Sequence, residues 1–433
     1  MQNLKFIAFL VVLIAIGITL GFVFSFSNNV NLQYSLPHTN SENSSNKNII
    51  QISGEANIEP NIVEVISEDN IETTTIPENI KAVYLTGWSA GTESKRRTTI
   101  ENLLKYNFNA VVIDIKDEAG HVSYNSSVQT AIDISSSKKM ISNIEATLKD
   151  FKDAGIYVIG RIVTFKDPLY AKKVSENAYK KSDGSLWVDY AGNNWPNPYN
   201  EASWEYPIAL AKEAATLGFD EIQFDYIRFP SSEGKTKNIA FGFESDTKSK
   251  SQIINSFLEK IMLEMKEYNV VISADVFGIT TKKAGDFERI GQDFYAISNI
   301  VDVVCPMVYP SHYGYGEYGV SKPDTQPYKI IHGALKDALK QYELQSGDSK
   351  VATIRPYLQD FTATWLKKGN YINYNTKAVI DQIQACYDLG IYDFTLWDPS
   401  NKYAYEALDS VIITVSGDIL ESGDILDSGD TLE

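Results

Sequence analysis

The sequence predicts an α/β fold, a (β/α)8 TIM barrel with an N-terminal transmembrane anchor and a disordered linker and tail. Three observations predict it. Eight short β-rich runs alternate with helix-like stretches between residues 81 and 415, and such alternation gives right-handed βαβ units around a parallel sheet. Eight units match the repeat number and the length range of the closed barrel. The segment after the first run, "TGWSAGTES", is not the GxGxxG loop that a doubly wound open sheet would place there.

The strand runs in order are "KAVYLTG" (81–87), "AVVIDIK" (110–116), "IYVIGRIV" (156–163) and "EIQFDYIRF" (221–229), then "VVISADVFG" (270–278), "VDVVCPMVY" (301–309), "VATIRPYLQ" (351–359) and "YDFTLWD" (392–398). Their near-continuous apolar character is that of strands buried on both faces. Between them, "TTIENLLKYNF", "MISNIEATLKDFKDAG", "ASWEYPIALAKEAATLG", "IINSFLEKIMLEMKEYN" and "AVIDQIQACYDLG" carry apolar residues at three-to-four spacing and end near Gly or Asn.

The flanks differ in kind. Residues 6–26, "FIAFLVVLIAIGITLGFVFSF", hold no charge; as a helix they span about 31 Å, enough for a bilayer core. Lys5 precedes them, which keeps the amino terminus in the cytoplasm. Residues 1–27 therefore read as a signal-anchor, with a cleaved signal peptide as the alternative; its apolar core is usually shorter, and no clear small-x-small cleavage site follows. Residues 28–78 are polar, without lasting periodicity, and read as a disordered linker. Residues 79–412 form the barrel. Residues 413–433 contain "SGDILESGDILDSGDTLE", a six-residue repeat in three copies, and read as a solvated acidic tail.

The formal charge of −17 sits mostly on these flanks. Asn28–Ile80 holds eight acidic residues against one Lys, and Ser416–Glu433 six against none. Residues 81–415 keep only about −5 and show no basic stripe, which argues against a nucleic-acid partner. The two cysteines, Cys305 and Cys386, fall in a strand run and a helix run, which favours buried free thiols over a bridge. With four His residues and no HExxH or paired-ligand spacing, neither a metal nor a cofactor is expected.

Barrel chemistry gathers at the carboxyl ends of the strands, and side-chain alternation decides which residues face the axis. By parity, Gln223 and Asp225 share a face in the fourth run, and Ser273 and Asp275 in the fifth. Asp114 and Lys116 do so in the second, Met307 and Tyr309 in the sixth, and Arg355, Tyr357 and Gln359 in the seventh, with Trp397 or Asp398 closing the eighth. Two acids from neighbouring strands are what glycoside hydrolysis needs: one protonates the leaving oxygen, the other attacks the anomeric carbon or activates water. Asp225 and Asp275 are the catalytic candidates. Asp114, Asp117 and Glu118 compete for the second role, and Asp225 has an alternative as a structural partner of Arg228 or Arg161. Substrate-binding candidates are Trp88, Asp114, Lys116, Asp117, Arg161, Trp195, Arg228, Tyr309, Arg355, Gln359 and Trp397. The long segment after the third run adds Trp187, Tyr190 and Tyr199, whose rings either stack on sugars or cap the barrel.

The strings "RIVTFKDP", "WPNPYNEASWEYPIALAKEAATLGFDEIQFDYIRFPS", "ISADVFG", "VCPMVYPSHY" and "LWDPSN" occur in order over about residues 80–405. In these the chain resembles a bacterial family of "putative glycosyl hydrolase" domains, formerly catalogued as a domain of unknown function. The resemblance implies a TIM barrel related to amylase-like and chitinase-like glycoside hydrolases, with Asp225 in the nucleophile position of amylase-like barrels. Those barrels usually carry a Glu acid after the fifth strand, where "ADVFG" supplies Asp275. The terminal Glu of the chitinase-like DxxDxDxE strand has no counterpart.

The expected function is hydrolysis of an extracytoplasmic polysaccharide by a single-pass membrane protein with its barrel outside the cytoplasm, or by a secreted one. The alternative is a non-catalytic glycan-binding or cell-envelope scaffold module. A third class, a lyase or carbohydrate deacetylase, is disfavoured on the deacetylase side by the missing His cluster.

Overall fold

The computed structural model describes residues 78–231, 239–243, 245–282, 287–344 and 351–411. The apolar run 6–26, the linker up to residue 77 and the acidic tail lie outside the described residues. Among the described residues, no helix is long and apolar enough to cross a membrane.

Eight parallel staves close into a barrel: β1 Lys81–Leu85, β2 Ala110–Lys116, β3 Tyr157–Val163, β4 Glu221–Asp225, β5 Val271–Phe277, β6 Val303–Met307, β7 Tyr357–Gln359 and β8 Phe394–Trp397. Each pairs with its neighbours in sequence, and β8 returns to β1 in the register Val83↔Leu396. The seventh stave comes in two pieces. Thr353–Ile354 pairs with the start of β6, and β7 meets the end of β6 at Tyr357↔Met307. Pro356, which has no N–H for a ladder, lies between the pieces and still accepts from the Thr395 N–H.

The helices lie outside: α1 Glu93–Lys105, α2 Ile144–Asp153, α3 Glu205–Leu217, α4 Lys250–Met265, α5 Pro327–Glu343 and α6 Thr376–Tyr387. Local chemistry sets their ends. Asn143 caps α2, Ser249 and Gln252 form a capping box on α4, and α3 stops at Gly218 in the left-handed region. Two short helical segments, Phe287–Ile290 and Phe294–Ser298, follow β5 where a longer crossover helix would otherwise stand.

The division of side chains explains the closed shape. In β2, Val111, Ile113 and Ile115 pack outward into the main apolar cluster, while Ala110 and Val112 join Ala82, Tyr84 and Ile159 in the inner one. Cys305 and Cys386 are both buried free thiols.

Candidate active site

At the carboxyl end of the barrel one guanidinium gathers the acids. Arg161, on the inner face of β3, donates through Nη1 to Asp114 Oδ1 at 2.6 Å, and through Nη2 and Nε to Asp225 Oδ2 at 2.6 and 3.0 Å. Its Nη2 also reaches Glu118 Oε1 at 2.8 Å, and its Nε lies 4.0 Å from Asp275 Oδ2. The ladder explains the meeting. Asp114 stands opposite Arg161, Arg161 opposite Gln223, and Gln223 opposite Ser273, so one step up the strands brings Asp225 and Asp275 beside it.

The chain turns sharply just after Asp225. Tyr226 has φ +52°, a conformation uncommon for a bulky residue, and its N–H donates to Asp225 Oδ1 at 2.5 Å. Both Asp225 oxygens therefore act as acceptors. Asp275 is the opposite case. Its Oδ1 is buried and has no hydrogen-bond partner. Burial, followed by the neighbouring Asp225 charge, pushes its pKa well above the ordinary carboxylate range. Beside them, burial also raises Asp114 to about 7 against the pull of Arg161, and Tyr84 donates to its Oδ2 at 2.5 Å. Burial acts on Glu118 as well, but the Arg161 and Lys166 charges outweigh it and hold the carboxyl at about 2. Glu118 is 38% exposed, so solvent screens part of that attraction.

Asp225 and Asp275 are 4% and 1% exposed. Around them, Phe277, Met307, Trp397 and Tyr226 keep part of their surface open to solvent. The opposite wall is aromatic. Trp397 lies 6.1 Å from Tyr84 and 5.7 Å from Tyr309, and Phe361 continues the set to Trp365 at 5.6 Å between ring centroids. The mouth thus has an acidic side on β2–β5 and an aromatic side on β6, β7, β8 and β1. A separate cavity of about 520 Å3, lined by Tyr124, Ile141, Asn143, Glu213 and Leu217, holds none of these groups. Among the described residues, no group of three His, Cys, Asp or Glu side chains is arranged to hold a metal ion.

The remaining candidates divide. Trp88 is 52% exposed on the short helix after β1, and Tyr309 is buried in the aromatic wall. Lys116 is not on the face that alternation assigns it. A bulge between Asp114 and Lys116 aligns it with Ile162 and turns it outward, where it pairs with Asp167 at 2.6 Å and faces the Tyr206 ring. Asp117 ties its own turn by accepting from the Ala119 and His121 N–H groups. Arg355 lies deeper in the barrel, paired with Glu221. Gln359 is fully buried, joining the Asp324 side chain to the Ser311 N–H. Trp195 is buried with its indole N–H on Asp189, and Trp187 and Tyr199 are buried as well, so these rings build the long loop's own core; Tyr190 stays exposed. Arg228 rests on the Trp195, Tyr226 and Phe277 rings. It does not form the ion pair with Asp225; Arg161 does.

Glu118, weighed only as a rival acid, proves to be the fourth carboxylate around Arg161. Tyr84, Lys166 and Phe277 were not singled out from sequence. Tyr84 and Phe277 share parity with Ala82 and Asp275, a signal that was present; Lys166 sits on a loop, where no period applies.

Comparison with known proteins matches the model of a family described as "putative glycosyl hydrolase domain" over residues 82–403. A solved hypothetical protein from Ruminiclostridium thermocellum is 42% identical, with 45% of this chain and 97% of that one covered and a TM-score of 0.42. The PgaB (BpsB) glycoside hydrolase domain from Bordetella bronchiseptica shares the fold at 12% identity, with 78% and 99% covered and a TM-score of 0.52. No curated protein matches. A closed barrel with acids at its carboxyl mouth, matched over nearly its whole length, identifies the chain as a member of the family of "putative glycosyl hydrolase" domains.

Proposed function

We infer that the protein hydrolyses glycosidic bonds of an extracytoplasmic polysaccharide, with Asp225 and Asp275 as its carboxylate pair. One observation carries this reading: both acids border a single Arg161 nitrogen, Asp225 hydrogen-bonded to it and Asp275 buried beside it with an unpartnered oxygen. Asp225, fixed in place by hydrogen bonds from Arg161 and the Tyr226 N–H, is the group we assign to attack the anomeric carbon or activate water. Asp275, whose pKa is pushed well above the ordinary carboxylate range by burial and by the Asp225 charge, is the group we assign to deliver a proton to the leaving oxygen. The two distances to Arg161 Nε cap the Oδ2–Oδ2 separation at their sum, 3.0 and 4.0 Å. That limit covers the about 5–5.5 Å spacing of retaining enzymes and only the lower edge of the roughly 6.5–9.5 Å spacing of inverting ones. In the aromatic wall, Trp397 keeps surface open and, backed by the buried Tyr309 and Phe361 rings, offers an apolar face to the C–H face of a sugar.

The apolar run 6–26 supports an anchored protein with the barrel on the outer side of the membrane. Protease treatment of intact cells should then digest the barrel.

The test is a glycan-library hydrolysis screen. The wild type should release new reducing ends from at least one polysaccharide, and Asp225→Asn should lose at least about 10^3-fold in rate while unfolding at the same temperature. A second reading, a glycan-binding module without turnover, draws on how closed the pair is, at 4% and 1% exposure. Glycan affinity without product on prolonged incubation would select it.

A further inference from the structure

Among the described residues, several buried cations of the barrel are matched to anions, whereas Arg228 is not. Arg161 meets three carboxylates within 3.0 Å, Arg355 meets Glu221, and Lys116 meets Asp167. Arg228 is 7% exposed, and among the described residues no carboxylate lies within ion-pair distance of it. Its guanidinium rests on three rings instead, 4.8 Å from Tyr226, 5.2 Å from Trp195 and 4.5 Å from Phe277. Nη1 donates to the Phe229 carbonyl at 3.0 Å. Among the described residues Nε and Nη2 donate to no group, and neither atom is sealed from solvent.

A second cation stands beside it. Lys166 Nζ donates to the Tyr226 hydroxyl at 3.3 Å and lies 4.7 Å from the same ring. It too has no carboxylate within ion-pair distance among the described residues. Two cations against one ring repel each other, although, against burial, the Tyr226 and Glu118 charges carry the Lys166 pKa upward. Ring faces offset only part of the cost of burying such charge. The contrast with the matched cations shows in direction: burial lowers the Arg228 pKa, whereas the carboxylates around Arg161 and Arg355 overcome burial and raise theirs. Arg228 remains a cation at neutral pH all the same.

The missing element is an anion supplied from the cleft. A free Nε–Nη2 edge presents two parallel N–H groups, the fork that fits a planar carboxylate. The location ties it to the chemistry, because the ring that carries both cations belongs to Tyr226, the residue directly after Asp225. We propose that Arg228 and Lys166, assembled on Tyr226, form a subsite for the carboxylate of an acidic sugar, so that the polysaccharide cleaved here is anionic. This rests on the hydrolase reading for its meaning but is measured without it.

The experiment uses the full chain carrying Asp225→Asn, so that binding is read independently of turnover. It is presented with matched oligosaccharides: carboxylate-bearing members, their carboxyl-reduced neutral counterparts, and sulfated and phosphorylated forms. Carboxylate members should bind at least tenfold more tightly than the neutral ones. That preference should vanish in Arg228→Gln and fall in Lys166→Gln, with affinity for neutral members unchanged, and should weaken with salt. Lys166 is half-buried on a loop, so its variant keeps the test open should Arg228→Gln unfold. Equal or stronger binding of neutral members, preference for sulfate or phosphate, absence of binding to every carboxylate member, or parallel loss of acidic and neutral binding in the variants would each overturn the proposal. Hydrolysis by the wild type is scored separately, so failure of the catalytic reading leaves this result intact.

Discussion

Arg161 is the residue on which the site depends. It holds Asp114, Asp225 and Glu118 and touches the approach to Asp275. Removing it strands several buried or half-buried carboxylates, and breaking a buried pair by deleting one partner typically costs about 3–5 kcal/mol. Arg161→Met should therefore lose at least about that much stability in urea melts, and Arg161→Lys should recover only part, since one ammonium cannot replace a planar fork. The pH dependence follows from two of its partners. The folded pKa of Asp114, raised by burial to about 7, exceeds its unfolded value of 3.8. The folded state then binds the proton more tightly, so this contribution is full below pH 3.8 and declines as pH rises to about 7. Glu118 works in reverse: its stabilisation is present above 4.5 and is lost as pH falls toward about 2. Stability measured from pH 4 to 7 should fall less steeply in Asp114→Asn than in the wild type. Asp225 and Asp275 were legible in the sequence because strand alternation needs no tertiary information. The choice of their organiser between Arg161 and Arg228 was not, since Arg161 gained its role only when three strands came into register.

At the scale of elements, the departures from regular structure shape the site. The bulge in β2 separates Asp114 from Lys116 and sends one to the axis and the other beneath the loop helix Pro168–Lys173, whose first turn Asp167 caps. A period of two is blind to one extra residue, which is why parity misplaced Lys116. Lys116→Met should destabilise the protein by about 3–5 kcal/mol while leaving glycan affinity of the folded fraction unchanged; a selective loss of affinity would return Lys116 to the cleft. The fourth strand shows the same limit. The run 221–229 reads as one strand, but the ladder stops at Asp225 because Tyr226 turns left-handed. Helix α5 was not picked out from sequence. Pro327 and Gly333 obscure it, yet Pro occupies its first turn and Gly333 admits the Tyr318 ring, which an added Cβ would meet at 2.4 Å.

For the whole molecule, the barrel was legible because eight apolar runs with intervening helical periods leave few ways to bury every face. What could not be read was the division of the mouth into an acidic half on β2–β5 and an aromatic half on β6, β7, β8 and β1. That division arises from closure, which joins β8 to β1 and sets Trp397 beside Tyr84. Of the two readings the sequence left open for the long loop's rings, burial of Trp187, Trp195 and Tyr199 fits the capping one, since they had a loop of their own to fill. The central claim is that Asp225 and Asp275 act as one catalytic unit. The direct measurement is kcat/KM for Asp225→Asn, Asp275→Asn and the double variant, on the polysaccharide that the wild type cleaves. Each single change should lose at least about 10^3-fold, and the double variant should be little worse than the poorer single one, since residues of one unit are not additive. Near-wild-type turnover in either single variant, or losses that simply multiply in the double, would contradict it.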